Sequence, residues 1–275
     1  MMNIATFSPL GYMGELGNQM FQIAATIGYA RKHGKLPIFP AWTCKITGRN
    51  YTSEIFKGPI NQSFDSSFPL NNRHTYHDLS YIEIPYMEGN VDLVGYFQSE
   101  KYFENCQDEI RSIFSPRENI KTYIENKYRD ILNNDQKVSL HIRTARRSSN
   151  DYDVHSSADS NFIKQAQVIF GDKLYVIFTD NIEFTESLIP SDMNHIIVKG
   201  EENYIDLFMM TYFNEMVVSS STFGWWGAWL NQNKDPRIAI MKNWFDPQKE
   251  KAYLNDNDLV PDRWQKIDGH FNNRI

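Results

Sequence analysis

Ser219–Ser220–Ser221–Thr222–Phe223–Gly224–Trp225–Trp226–Gly227–Ala228–Trp229–Leu230–Asn231, preceded by the apolar run Met216–Val217–Val218, is the stretch whose reading decides the fold. An apolar strand that runs into three serines and a threonine, then into aromatics at short helical spacing, predicts strand, tight turn and helix N-terminus. Such a start can hold an anion. Hydroxyls cap the first turn, while unpaired N–H groups and the positive end of the helix dipole favour a phosphate. The plainer alternative is that the serines only cap a helix whose Trp225, Trp226 and Trp229 fill a core.

The surroundings of that stretch are regular. Val138–Ile142, Leu174–Phe178, His195–Val198, Met216–Ser219 and Arg237–Met241 read as strands; Asn161–Phe170, closed by Gly171, Ile182–Leu188 and Tyr204–Phe213 read as helices. Strands alternating with helices predict a parallel, doubly wound sheet with its ligand outside the carboxyl ends of the strands. Ser139, His141 and Arg143 alternate with Val138, Leu140 and Ile142, which puts imidazole and guanidinium on one side near a strand end. Arginine offers phosphate a planar fork of donors and histidine adds one more, although a sheet salt bridge and a core histidine suit these two residues equally well. Asp180 and Asn181 follow another strand and can meet a base or ribose edge, or cap the next helix. Asp206 lies among apolar residues, where a buried acid needs a partner such as a purine or a backbone turn.

Together, Arg143, His141, the Ser221–Thr222–Phe223 helix start and these acids describe a pocket for a nucleoside diphosphate, its charge met by arginine and a helix dipole. Metal is not assigned. Asp151–Tyr152–Asp153 has the Asp-x-Asp form with His155 close by, yet it sits in a Ser/Asn-rich loop, and 34 acidic residues make such a pair common by chance.

Toward the N-terminus, Ile4–Phe7 predicts a strand, Gly11, Gly14 and Gly17 a glycine-rich turn, and Met20, Phe21, Ala24, Ile27 and Ala30 a helix ending at Lys32–His33–Gly34. This βα unit brings the amides of Asn18 and Gln19 to a sheet end; its glycines do not match the dinucleotide fingerprint. Leu36–Phe39 reads as a strand, residues 41–90 as irregular loops with Arg49, Arg73, His74 and His77, assigned to acceptor recognition, and Val91–Tyr96 as a strand. One amphipathic helix capped by Ser99 runs to Phe114, and another from Ile120 to Leu132 ends at Asn133–Asn134–Asp135, the expected boundary between domains 1–135 and 136–275.

Composition narrows the class. A 275-residue chain that is 41% hydrophobic can bury a large core, and 14% aromatic content suits stacking on bases or sugars. A net charge of −6 without a basic stripe argues against nucleic acid and against coating an anionic membrane. Cys44 and Cys106 allow no disulfide framework and fit a reducing cytosol. No run is long and apolar enough for a membrane span and no signal peptide is seen, so the expectation is a cytoplasmic protein, peripheral to a membrane at most.

Four blocks resemble glycosyltransferase family 11, the α-1,2-fucosyltransferases of bacteria and animals: Gly14–Glu15–Leu16–Gly17–Asn18–Gln19–Met20–Phe21–Gln22, Gly95–Tyr96–Phe97–Gln98–Ser99–Glu100–Lys101–Tyr102–Phe103, His141–Ile142–Arg143, and Ser221–Leu230. The resemblance implies an α/β, GT-B-like fold of two Rossmann-like domains facing a cleft. It also implies GDP-fucose as donor, inversion at the anomeric carbon, a galactoside 2-OH on an oligosaccharide or glycolipid as acceptor, and no metal or other cofactor. It implies diphosphate contacts from His141, Arg143, Ser221, Thr222 and Phe223, nucleoside contacts from Asp180 and Asp206, and Asn18 near the reacting centre. Two departures stand out. Arg143 is followed by Thr144–Ala145–Arg146–Arg147 where the family continues Arg-Gly-Asp, so Arg146 or Arg147 is the candidate second arginine. Glu15 replaces a usual glycine and is a candidate base for the acceptor hydroxyl.

Overall fold

The computed structural model describes residues 3–65, 67–144, 156–245 and 256–269. The chain divides into two compact units, Met1–Glu118 with Ala252–Pro261, and Asn119–Lys251 with Asp262–Ile275. Among the described residues no helix is long and apolar enough to cross a membrane.

The first unit is built from β1 (Ile4–Thr6), α1 (Leu16–Lys32), β2 (Leu36–Pro37), α2 (Tyr51–Glu54), β3 (Asn72–Tyr76), β4 (Val91–Gly95), a 3-10 segment (Glu100–Cys106) and α3 (Gln107–Ile113). Its four strands are parallel in the order β2-β1-β4-β3. Helix α1 is buried along most of its length and stops where His33 N–H reaches Tyr29 O and Lys35 N–H reaches Ala30 O, with Gly34 between them at φ 63°. Gly28 lets the 3-10 segment press onto α1, since a Cβ there would stand 2.0 Å from Tyr102 O.

Three expectations for this half are corrected. Residues 41–90 are not wholly irregular: β3 is a polar edge strand, which lacks the apolar alternation that reveals a strand in sequence. The strand expected at Leu36–Phe39 is two residues long. The helix expected through Tyr102–Phe114 begins as 3-10, with Ser99 Oγ accepting from Lys101 N–H, and kinks at Phe103, φ −136°, before α3.

The second unit carries α4 (Glu118–Lys127), α5 (Arg129–Leu132), β5 (Lys137–Ile142), α6 (Ser160–Phe170), β6 (Leu174–Thr179), α7 (Ile182–Leu188), β7 (His195–Ile197), α8 (Asn203–Met210), β8 (Glu215–Val218), α9 (Thr222–Trp229), β9 (Arg237–Met241) and β10 (Gln265–Ile267). Its six strands are parallel in the order β10-β9-β8-β5-β6-β7. The expected α/β class, with a doubly wound parallel sheet in the C-terminal half, therefore stands. Two details differ: the helix expected from Ile120 to Leu132 is broken at Tyr128, and β10 adds a strand from the tail. The core on one face of this sheet gathers Val138, Leu140, Ile142, Phe162, Ile163, Tyr175, Ile177 and Val217.

Candidate functional site

In the second sheet the order reverses between β5 and β8, with β6 and β7 on one side and β9 and β10 on the other. Open parallel sheets bind ligands outside the carboxyl ends at such a switch point. The residues delivered there are Arg143, just after β5, and the serine-rich turn after β8. Arg143 N–H donates to Ser219 Oγ at 2.7 Å, and Ser219 N–H donates to His141 O at 3.1 Å, so the two strand ends are laced together.

Arg143, its side chain about three-quarters buried, pairs through its guanidinium with Asp180 Oδ2 at 2.8 Å. Asp180 Oδ1 accepts from Thr144 N–H at 3.0 Å and from Thr144 Oγ1 at 3.1 Å. The cap of α7 is left to Asn181, which accepts from Phe184 N–H at 3.1 Å. Of the two duties considered in sequence, a base or ribose contact and a helix cap, Asn181 performs the cap, while Asp180 is engaged with Arg143 and Thr144.

His141 is buried, with its ring 5.9 Å from that of Phe223 and its Nδ1 3.3 Å from Ser219 Oγ. Ser219 Oγ thus accepts from Arg143 N–H and lies beside His141 Nδ1, tying the ring to the end of the strand. Burial pushes the His141 pKa down to about 4; Asp180 opposes the shift and Arg143 reinforces it. At neutral pH the imidazole is uncharged, and the groups at this edge that can meet an anion are the Arg143 guanidinium, itself paired with Asp180, and the N–H groups at the start of α9.

Ser221 is the N-cap residue of α9, in extended conformation, and its side chain makes no capping bond. The first intrahelical bond runs from Trp225 N–H to Ser221 O at 2.9 Å, so the N–H groups of Thr222, Phe223 and Gly224 have no partner within the helix. The hydroxyl capping expected of the serines is replaced by cross-links: Ser219 holds Arg143, and Ser220 Oγ donates to Ser156 O at 2.5 Å. The helix is seated directly on the histidine. A Cβ at Gly224 would lie 2.7 Å from His141 Nδ1 and 2.8 Å from Val218 Cγ1. Behind that first turn Trp225, Trp226 and Trp229 are buried, with Trp225 and Trp226 edge to face at 5.0 Å, so the core-filling reading also holds for the rest of the stretch.

The hydrogen bonds and ion pairs that join Arg143, His141, Asp180 and Ser219 do not reach Asp206. Its Oδ1, in α8, is buried without a hydrogen-bond partner, and burial, helped by Glu201, pushes its pKa up to about 7. Arg146, Arg147, Asp151, Asp153 and His155 lie outside the described residues.

Asn18 and Glu15 belong to the first unit. There the strand order reverses between β1 and β4, and the loops after both strands meet at α1. Gln98 Nε2 donates to Asn18 Oδ1 at 2.8 Å, and the chain reaches Gln98 through Phe97, which holds a left-handed φ of 49°. Such strain in a non-glycine residue is characteristic of functional edges. Gln19 Nε2 donates to Gly14 O at 2.8 Å while Trp42 Nε1 donates to Gln19 Oε1 at 2.7 Å, fixing the glycine turn to α1. Glu15 is the N-cap residue of α1 and makes no side-chain cap bond. From sequence alone Thr144 and Gln98 had no assigned role and Ser219 was expected only to cap, although each stands beside a candidate residue.

The profile of Glycosyl transferase family 11 matches residues 7–267. An alpha-1,2-colitosyltransferase of Escherichia coli is 27% identical over 194 residues, covering 66% of this chain and 64% of the relative. The chain thus covers under two thirds of that relative's length. Galactoside alpha-(1,2)-fucosyltransferase 2 of Hylobates lar is 23% identical, covering 79% of this chain and 67% of the relative. Among solved structures, the NodZ alpha-1,6-fucosyltransferase from Bradyrhizobium, soaked with GDP-fucose, superposes with a TM-score of 0.55 at 13% identity, covering 88% of this chain and 95% of that one.

Proposed function

Because the chain belongs to glycosyl transferase family 11, we propose that it is an inverting, metal-independent transferase that moves L-fucose from GDP-fucose to the 2-OH of a galactoside on an oligosaccharide or glycolipid. The acceptor hydroxyl attacks the anomeric carbon as GDP leaves from the opposite face. Stabilising the departing diphosphate is then the main catalytic task, and preorganised donors perform it best because they need no reorganisation. Arg143, with the N–H groups at the Ser221–Phe223 helix start, takes that role. His141 holds the helix start and the strand ends in register as a neutral ring, and Asp180 aims the guanidinium. Asp206 is assigned to the nucleoside, Asn18 to the acceptor side of the reaction, and Glu15 to drawing the proton from the acceptor hydroxyl.

The observation that carries this reading is the placement of Arg143 and the start of α9 at one switch point, tied by the Ser219 bridge at 2.7 Å. A second reading, transfer of another GDP-linked sugar, is favoured by the relative named an alpha-1,2-colitosyltransferase. Incubating the protein with GDP-fucose and a panel of galactosides, and following GDP release with and without EDTA, tests both. Acceptor-dependent, EDTA-resistant release supports the proposal. Binding of GDP-fucose without turnover points to the second reading or to a non-catalytic sugar-nucleotide or glycan binder, and loss of activity with EDTA revives the Asp151–Asp153 pair as a metal site.

A further inference from the structure

Large aromatic side chains left in water invite explanation when they are held rigidly at a ligand-binding edge. Tyr12 is 67% exposed, the most exposed of the aromatic residues that are both large and described, and Tyr86, at 61%, is next. Their positions differ. Tyr86 packs against His33 at 5.6 Å, at the C-terminal end of α1. Tyr12 lies in the loop between the carboxyl end of β1 and the start of α1, at the switch point of the first sheet.

The loop that carries Tyr12 is fixed from several sides. Gly11, at φ 90°, approaches the neighbouring loop so closely that a Cβ would lie 2.3 Å from Thr43 O, and its carbonyl accepts from Lys45 N–H at 2.9 Å. Tyr12 N–H itself donates to Pro9 O at 3.0 Å. On the other side Gln22 Nε2 donates to Met13 O at 3.1 Å and Gln19 Nε2 to Gly14 O at 2.8 Å. Backbone this constrained presents its side chain at little entropic cost, and tyrosine has only two side-chain torsions left to order.

The same anchoring sets Lys45, whose ammonium lies 5.1 Å from the centre of the Tyr12 ring. A cation near the ring steadies it, while the residue as a whole stays 67% exposed. Close along the chain, the Asn18–Gln98 bond uses the Asn18 carbonyl and the Gln98 amino group. That leaves an amide donor on Asn18 and an amide acceptor on Gln98, the complement of a sugar hydroxyl.

From this arrangement we propose that Tyr12 is the stacking platform of an acceptor-sugar subsite on the first unit, with Lys45 orienting the ring and the Asn18–Gln98 pair reading hydroxyls. The reading rests on the function proposed above. A galacto-configured pyranose fits best, because its axial 4-hydroxyl leaves C3–H, C4–H and C5–H together as an apolar patch on the opposite face. A gluco-configured ring, with an equatorial 4-hydroxyl, lacks that patch.

Saturation-transfer NMR with methyl β-D-galactopyranoside, in the presence of GDP, tests this without requiring turnover. Wild-type protein should transfer saturation to H3, H4 and H5 of the galactoside and much less to methyl β-D-glucopyranoside. Tyr12→Ala should weaken galactoside binding about tenfold, roughly 1.4 kcal/mol, while Tyr12→Phe and Tyr12→Trp stay within about twofold and all three keep the wild-type GDP affinity and melting temperature. Equal galactoside binding by wild type and Tyr12→Ala, or no binding by wild type, overturns the proposal. Loss in Tyr12→Phe equal to that in Tyr12→Ala overturns stacking in favour of the hydroxyl. Failure of the donor assignment would read differently, as absent GDP binding or absent fucosyl transfer with galactoside stacking intact.

Discussion

Replacing Gly224 with alanine puts one methyl group where α9 rests on His141. The added Cβ would start 2.7 Å from His141 Nδ1 and 2.8 Å from Val218 Cγ1, against an ordinary contact of 3.4 Å, so something must retreat by about 0.7 Å. Neither neighbour gives way easily. Val218 is a buried, β-branched residue in an interior strand, and the His141 ring is buried and engaged with Ser219 Oγ. The first turn of α9 is therefore the part that moves, carrying with it the N–H groups of Thr222 and Phe223. Overpacking of this kind costs about 1–3 kcal/mol of stability, or about 2–4 °C in melting temperature per kcal/mol for a unit of this size. Misplacing one hydrogen bond to a charged phosphate loses about 1.5–3 kcal/mol, so GDP affinity should fall by at least about tenfold. Calorimetric titration with GDP and a thermal melt read the two effects separately. Gly227→Ala is the control: its Cβ would meet the pliable Met210 side chain, 2.8 Å from Cε, further along the helix, and should leave GDP affinity unchanged. A Gly224→Ala protein that melts with the wild type and binds GDP equally well would refute both the contact with His141 and the placing of the diphosphate at this turn.

Arg143→Ala should lower turnover by about 100-fold or more, the scale of losing one preorganised donor, as measured by GDP release at saturating acceptor; near wild-type activity would remove Arg143 from the mechanism. Asp206→Asn should change the pH dependence of stability in a defined direction. Its carboxyl is raised from 3.8 to about 7 in the folded protein, so the native state holds the extra proton between those values and stability falls as pH rises through them. Asparagine removes that fall, and the variant should out-melt wild type at pH 8 by more than at pH 4; equal differences at both would contradict the burial of an unpaired acid. His141 works in the opposite sense. With its pKa lowered from 6.5 to about 4, the unfolded chain takes the proton first, so stability should decline from pH 6.5 toward 4, and His141→Asn should flatten that limb in urea titrations across the range.

The central strands of the second sheet could be read from sequence because they are apolar runs separated by well-marked helices; Asp159 and Asn181 cap α6 and α7, and Gly171 closes α6. The edges could not. Asn72–Tyr76 and Gln265–Ile267 are polar strands at sheet borders, where hydrophobic alternation has no reason to appear. The break at Tyr128 was hidden for another reason: apolar spacing continues through it, and no proline or glycine marks it. At the site, alternation identified the strand end that bears His141 and Arg143. It left a core histidine and a phosphate donor equally open, because the burial of every residue of β5 from Val138 to Ile142 comes from a sheet covered on both sides, which alternation along one strand does not reveal. The partner of Arg143 was equally out of reach. Asp180 comes to it across β5 and β6, a register that only the folded sheet defines.

The account turns on where the diphosphate lies, and a crystal structure of the protein soaked with GDP measures that directly. The phosphates should be found within hydrogen-bonding distance of the Arg143 guanidinium and of the N–H groups of Thr222 and Phe223, beyond the ends of β5 and β8. GDP bound elsewhere, with Arg143 still closed on Asp180 and the start of α9 facing solvent, would contradict the account.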